Sequence, residues 1–171
     1  MSSQPGLTIR VYQPGDHAAV VQLNAYGLAA AGVPADADVY SGDLDDVTAT
    51  YLTGRATLLV GEHHGTVIAM GALQQIDATT CEVTRMRVHP EVQGRGYGKT
   101  ILRALEDHAR RLGYDHAVLL TGPDQHPAID IYHAAGYTIT ATEHHGVLTG
   151  VRMRRNLQNP VGQPDRHQPR Q

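Results

Sequence analysis

The stretch Arg85-Met86-Arg87-Val88-His89-Pro90-Glu91-Val92-Gln93-Gly94-Arg95-Gly96-Tyr97-Gly98-Lys99-Thr100 decides the fold. It begins as the end of a strand, is stopped by Pro90, and passes three glycines before entering an amphipathic segment. Glycines between a strand and a helix let backbone N–H groups converge on one spot, and the helix N-terminus adds a partial positive charge. Such a segment cradles a phosphate or pyrophosphate. A plain tight turn is the bland alternative, and three glycines in five residues exceed what a turn requires.

Two well-known phosphate loops do not fit. Gly98-Lys99-Thr100 matches the end of a nucleotide-triphosphate loop, but that motif needs a glycine five residues before Gly98, and position 93 is Gln. The dinucleotide fingerprint needs its third glycine at position 99, which is Lys.

On either side of this segment the chain divides into short elements. Alternation of apolar and polar residues predicts a strand over 7–12. Pro14-Gly15-Asp16 ends it and offers Asp16 as a helix cap. Helices are predicted over 18–31 and 43–52. Strands follow over 56–61 and 66–75, joined by the turn Glu62-His63-His64-Gly65, and a third strand over 82–88. The helix after the glycine loop runs over 99–112, with Ile101, Leu105, Ala109 and Leu112 as its apolar stripe. A short strand over 117–120 and a helix over 127–135 come next. A last hairpin over 137–142 and 147–153 turns on Glu143-His144-His145-Gly146. Hairpins before one strand–loop–helix–strand unit imply an α/β protein of the α+β type. Its sheet is mixed and mostly antiparallel, with helices on both faces.

Composition sets limits. The 171 residues are 41% hydrophobic and 18% charged, which suits one folded domain. That domain is expected over residues 1–156. Residues 157–171 hold Pro160, Pro164 and Pro169 and almost nothing apolar, and are expected to be a disordered tail. A net charge of −3 argues against a nucleic-acid partner. The absence of Phe and Trp argues against a base-stacking platform. A single cysteine, Cys81, excludes an intramolecular disulfide and a cysteine-built zinc site, and suits a cytoplasmic location. No apolar run is long enough for a membrane span, and the first six residues do not read as a signal peptide. The eleven histidines show no His-x-x-x-His spacing with an accompanying acid, so no metal site is expected.

The pattern Gln93-x-x-Gly96-x-Gly98 resembles the coenzyme A pyrophosphate loop of the GNAT N-acetyltransferase family. A second match is Ala128-Ile129-Asp130-Ile131-Tyr132-His133-Ala134-Ala135-Gly136-Tyr137, similar to that family's Ala-x-x-x-Tyr-x-x-x-Gly-Phe element with Tyr137 in place of Phe. The resemblance covers roughly residues 7–155 and is sharpest over 82–137. It implies a six- to seven-stranded sheet and acetyl-CoA as co-substrate. Met86, Arg87 and Val88 would lie along the pantetheine arm, with the Met86 and Val88 main chains as its partners. Gln93, Gly94, Arg95, Gly96, Tyr97, Gly98 and Lys99 would wrap the pyrophosphate, with Thr100 close by. Gln125 stands where relatives often carry Asn, one methylene further from the cofactor arm. Members of the family often pair, so a homodimer is compatible with the resemblance.

Moving an acetyl group from a thioester to an amine needs a proton acceptor for the amine, a donor for the developing oxyanion and an acid for the leaving sulfur. The resemblance points to Glu82 as base, at the offset from Gln93 where the histone-modifying branch keeps its glutamate. The alternatives are a water chain, or a Glu82 that merely pairs with Arg85 or Arg87. It points to Tyr132 as acid; the bland alternative is a half-buried core tyrosine. Cys81 is expected to be a buried spectator. The acids Asp36, Asp38, Asp43, Asp45 and Asp46 favour a cationic acceptor, with Tyr26, Tyr40 and Asp43 as candidate pocket residues. Helix capping by Asp43 is the bland alternative. The expected activity is acetyl-CoA-dependent acetylation of a primary amine on a small cationic metabolite, in a ternary complex. Acetylation of a protein lysine or N-terminus is one alternative, and a non-catalytic acetyl-CoA-binding module another.

Overall fold

Among the residues that the computed structural model describes (6–33, 42–146 and 148–159), seven strands form one sheet. They are β1 Leu7–Val11, β2 Thr57–His63, β3 Thr66–Gln75, β4 Thr80–Val88, β5 His116–Thr121, β6 Thr138–His145 and β7 Leu148–Asn156. Their order is β1-β2-β3-β4-β5-β7-β6, and only β4 and β5 pair in parallel. The helices are α1 His17–Ala30, α2 Val47–Tyr51, α3 Tyr97–Arg111 and α4 His126–Ala135.

Period-two burial divides the core. On one face Leu59, Ala69, Leu73 and Val83 pack with Ile101, Leu102 and Leu105 of α3 and Tyr132 of α4. On the other Leu58, Val60, Met70 and Ala72 pack with Val20 and Leu23 of α1 and Val47 and Tyr51 of α2. The central strands are therefore covered on both sides, which is why 67–73 reads as an apolar run rather than an alternation. Each fully buried Leu contributes about 1.5–3 kcal/mol.

The decisive irregularity lies in β4. It pairs with β5 only over Thr80–Val83, against His116–Leu119, and beyond Val83 the two strands part. Its register with β3 slips between Met70 and Ala72, so that Arg85 and Met86 both oppose Gly71. Arg85 takes a φ of 55°, the left-handed region that a β-bulge uses. A β-carbon at Gly71 would stand 2.7 Å from Met86 Sδ and from Leu105 Cδ1, so only glycine lets α3 and the bulge close over β3. His89 N–H donates to the Ile68 carbonyl at 2.8 Å. Strand alternation then turns the peptide groups of Met86 and Val88 away from β3 and into the gap.

Several local expectations shift. Helix α2 starts at Val47, and its cap is Asp46, which accepts from Ala49 N–H at 3.0 Å; Asp43 is used elsewhere. Asp16 does not cap α1 with its side chain; its carboxylate accepts from Gln13 N–H at 2.8 Å and from Arg10. The first hairpin turns on two residues, His64 and Gly65, both with positive φ as the tightest hairpins require. His63, His144 and His145 are strand residues rather than turn residues. Leu157 is buried, and its N–H donates to Asp115 O at 2.8 Å. Residues 160–171 and the expected pocket residue Tyr40, with Asp36 and Asp38, lie outside the described residues. Among the described residues no helix is long and apolar enough to cross a membrane.

Candidate active site

The gap where β4 leaves β5 opens into a cavity of about 540 Å³. Met86, Arg87 and Val88 form one wall, α1 contributes Tyr26, Gly27 and Ala30, and α4 contributes Ala128, Ile131 and Tyr132. The glycine loop closes one end with Gln93, Gly94, Gly96, Tyr97, Gly98 and Lys99. Gly94 and Gly96 have φ of 78° and 84°, so neither position suits a side chain. Helix α3 begins at Tyr97 with no side-chain cap, and its first internal hydrogen bond there is Thr100 N–H to Gly96 O at 3.1 Å. The N–H groups of Tyr97, Gly98 and Lys99 therefore have no intrahelical acceptor, which is the arrangement an anion uses. Gln93 Nε2 donates to the Val88 carbonyl at 3.3 Å, tying the loop back to the strand.

Tyr132 is 7% exposed and stacks edge-on against Tyr137 at 5.9 Å. Burial pushes its phenol up to about 12, against a smaller opposite effect of Arg87. It is therefore protonated at neutral pH and able to donate. Glu82 lies in the paired part of β4, opposite Gln74 and Val118. Its Oε2 accepts from Arg152 Nη1 at 2.7 Å. Arg152 also binds Glu143 through Nε at 2.6 Å and Nη2 at 3.0 Å, and so links β4, β7 and β6. Neither Arg85 nor Arg87 is the partner of Glu82.

On the α1 side of β4, Arg85 forms a two-pronged ion pair with Asp43, at 2.9 Å from Nε and 2.5 Å from Nη2. Tyr51 OH donates to the same carboxylate. Buried Asn24 stands between two guanidinium groups: its Oδ1 accepts from Arg85 Nη1 at 3.1 Å and Arg87 Nη2 at 3.3 Å. Cys81 is fully buried, and burial pushes its thiol up to about 12, so it is held as the protonated thiol at neutral pH.

Most of the expected cofactor residues thus meet at one cavity, including Gln125 at the start of α4. Arg95 and Thr100 do not line it. Thr100 Oγ1 donates to Gly96 O at 3.0 Å, and Thr100 borders a separate groove of about 650 Å³ between β1 and α3. Of the expected acceptor residues Tyr26 lines the cavity and Asp43 does not. Glu82 does not line the cavity either, and neither do Asn24, Arg85 and Arg152, whose roles in these polar networks the sequence does not announce; Gly27, which does line it, is likewise unannounced. The Ala128, Ile131 and Tyr132 stripe had a sequence signal in its i, i+3, i+4 spacing. Arg152 had none, because only the β5–β7 pairing brings it near Glu82.

A sheet that splays around an uncapped helix start defines an acyl-CoA-type N-acyltransferase architecture. The model of the acetyltransferase (GNAT) family matches residues 33–137, and the chain belongs to that family. The L-methionine sulfoximine/L-methionine sulfone acetyltransferase of Salmonella typhimurium is 32% identical over 144 residues, covering 79% of this chain and 82% of that protein. Rat N-acetyltransferase family 8 member 2 is 30% identical over 103 residues, 57% of this chain. The chain spans only 46% of that rat protein's length. Among solved structures, the Salmonella typhimurium protein yncA with its cofactor acetyl-CoA is similar at a TM-score of 0.72 and 27% identity, covering 94% of this chain and 99% of that one.

Proposed function

We propose that this protein is an acetyl-CoA-dependent N-acetyltransferase acting on the primary amine of a small metabolite that arrives as an ammonium ion. The observation that carries the reading is the parting of β4 from β5 beside an uncapped, glycine-started helix. An extended arm fits the gap, and a pyrophosphate fits the convergent N–H groups. When bound, acetyl-CoA supplies the acetyl thioester.

The chain's residues then divide the work. The Met86 and Val88 peptide groups bind the arm as an added strand would. Tyr97, Gly98 and Lys99 N–H groups hold the pyrophosphate, with Gln93, Gly94 and Gly96 shaping the loop. Arg95 and Thr100 stay near it without lining the cavity. Glu82, directly or through water, accepts the proton that the ammonium gives up, which frees the nitrogen lone pair for the carbonyl carbon. The C–N bond forms as the C–S bond breaks, Tyr132 donates its proton to the leaving sulfur, and the second proton shed by the nitrogen returns the Tyr132 phenol to its neutral form. No covalent enzyme intermediate is needed, because both substrates are held together. Tyr26 borders the acceptor end. Asp43 acts by fixing Arg85, since its carboxylate is engaged by Arg85 and Tyr51.

The test has two parts. Acetyl-CoA should raise the melting temperature of the wild type and fail to do so for Gly96→Glu. A thiol-release screen against amino acids, polyamines, aminoglycosides and peptides should then show turnover. Binding without turnover on any amine would replace this reading with a non-catalytic acetyl-CoA-binding module.

A further inference from the structure

On the wall of the cavity stands Arg87, a half-buried cation that has no counter-ion among the described residues. Among the described residues no carboxylate lies within ion-pair distance of Arg87, whereas Arg85, two residues earlier, holds Asp43. The Arg87 guanidinium has five N–H groups. Its acceptors are both neutral: the Met86 carbonyl at 3.1 Å and Asn24 Oδ1 at 3.3 Å. Its Nε is buried and bonds to nothing. Burial and the neighbouring Arg85 push it below the ordinary arginine range, which is what an uncompensated cation experiences. Helix α1 is built to admit it: a β-carbon at Gly27 would fall 2.2 Å from Arg87 Cδ and Nε. The phosphates of the cofactor have their own donors in the glycine loop. The charged groups that Arg87 feels are Arg85 and Asp43, neither of them in that loop.

We propose that the acceptor is an amino acid, an amine that also carries a carboxylate, and that Arg87 binds that carboxylate at the α1 side of the cavity. An incoming carboxylate supplies the missing counter-charge and can take two N–H groups of the planar fork at once. A polyamine would instead bring a second positive charge to an unpaired one. The idea rests on the acetyltransferase reading above.

The experiment compares each standard L-amino acid with its carboxamide, at saturating acetyl-CoA, by thiol release. For the preferred acceptor, kcat/KM should be at least tenfold higher for the acid than for the amide. That ratio should collapse toward one in Arg87→Gln, whatever loss the two share, and recover in part in Arg87→Lys. Gly27→Ala, which displaces the guanidinium without removing its charge, should also lower the ratio. A wild-type ratio near one, a preference for polyamines, or a ratio that survives Arg87→Gln would overturn the proposal. If nothing is turned over although acetyl-CoA binds, the catalytic reading fails by itself. The acceptor proposal is then read from the melting temperature of the acetyl-CoA-loaded protein. A further rise with the amino acids that is absent with their amides and in Arg87→Gln supports it, and no such rise overturns it.

Discussion

Arg155 on β7 and Arg87 on β4 are both drawn into the protein, and their surroundings differ. Arg155 is fully buried against the α3 face, where it binds the Glu106 carboxylate. Tyr137 OH donates to the same carboxylate at 3.2 Å. That region is closed: the cation and the phenol share one carboxylate away from solvent, although Arg155 Nε itself has no hydrogen-bond partner among the described residues. Arg87 borders a cavity and, among the described residues, meets only neutral oxygens. Desolvating a charge is expensive, and an unpaired one persists only where something other than stability retains it. The first arrangement holds α3 to the sheet; the second leaves a charge available to a ligand.

The largest expected effect tests the closed region. Glu106→Ala strips Arg155 of its counter-ion and should cost about 3–5 kcal/mol in urea unfolding. A loss below about 1 kcal/mol would erase the contrast. Next comes the open region's chemistry. Tyr132→Phe keeps the packing against Tyr137 and should lower kcat by about 100-fold, at the low end for a general acid, while acetyl-CoA affinity stays close to wild type. Unchanged kcat would remove Tyr132 from the mechanism.

Smaller effects sharpen the picture. Gly96→Ala forces a side chain to the left-handed conformation and should cost about 1–2 kcal/mol, visible as a lower melting temperature and a smaller acetyl-CoA shift. Arg87→Gln removes an unpaired charge, so its stability change should be under about 1 kcal/mol in either direction, far from that of Glu106→Ala. The smallest effect belongs to the exposed network at the sheet edge. Arg152 holds the Glu143 carboxyl at about 2, below its ordinary 4.5. A lowered carboxyl stabilises the fold above its unfolded value, and the contribution is lost as pH falls through the folded one. Arg152→Met should therefore unfold at higher pH than the wild type between about 4.5 and 2 in an acid titration. Solvent screening keeps this effect slight.

Much of the architecture was legible in local pattern. The order of strands and helices, the buried stripe of α3 and the hairpins followed from apolar spacing and from glycine and proline positions. Boundaries moved where hydrogen bonding rather than composition decides them. Residues 62–65 look like a four-residue turn, but strand pairing between β2 and β3 continues to His63 and Thr66, leaving two residues to turn. At the site, Gln93 to Lys99 could be singled out because left-handed glycines and a helix start are properties of adjacent residues. Asp43 could not be read the same way. Its run of acids suggests a negative field, and the fold spends that carboxylate on Arg85, 42 residues away.

The sequence by itself therefore determined the strand–loop–helix that makes an anion site, the two-faced apolar strands and the motifs that mark the family. These depend on φ preferences and on side-chain periods that act over a few residues. Only the tertiary structure decided which charges cancel. Arg152 reaches Glu82 across 70 positions of sequence, Arg85 takes Asp43, and Arg87 lies over Gly27 with no carboxylate of the described residues beside it. Ion pairing falls off within a few ångströms, and those distances are set by strand register and by the bulge at Arg85, which no local pattern reveals.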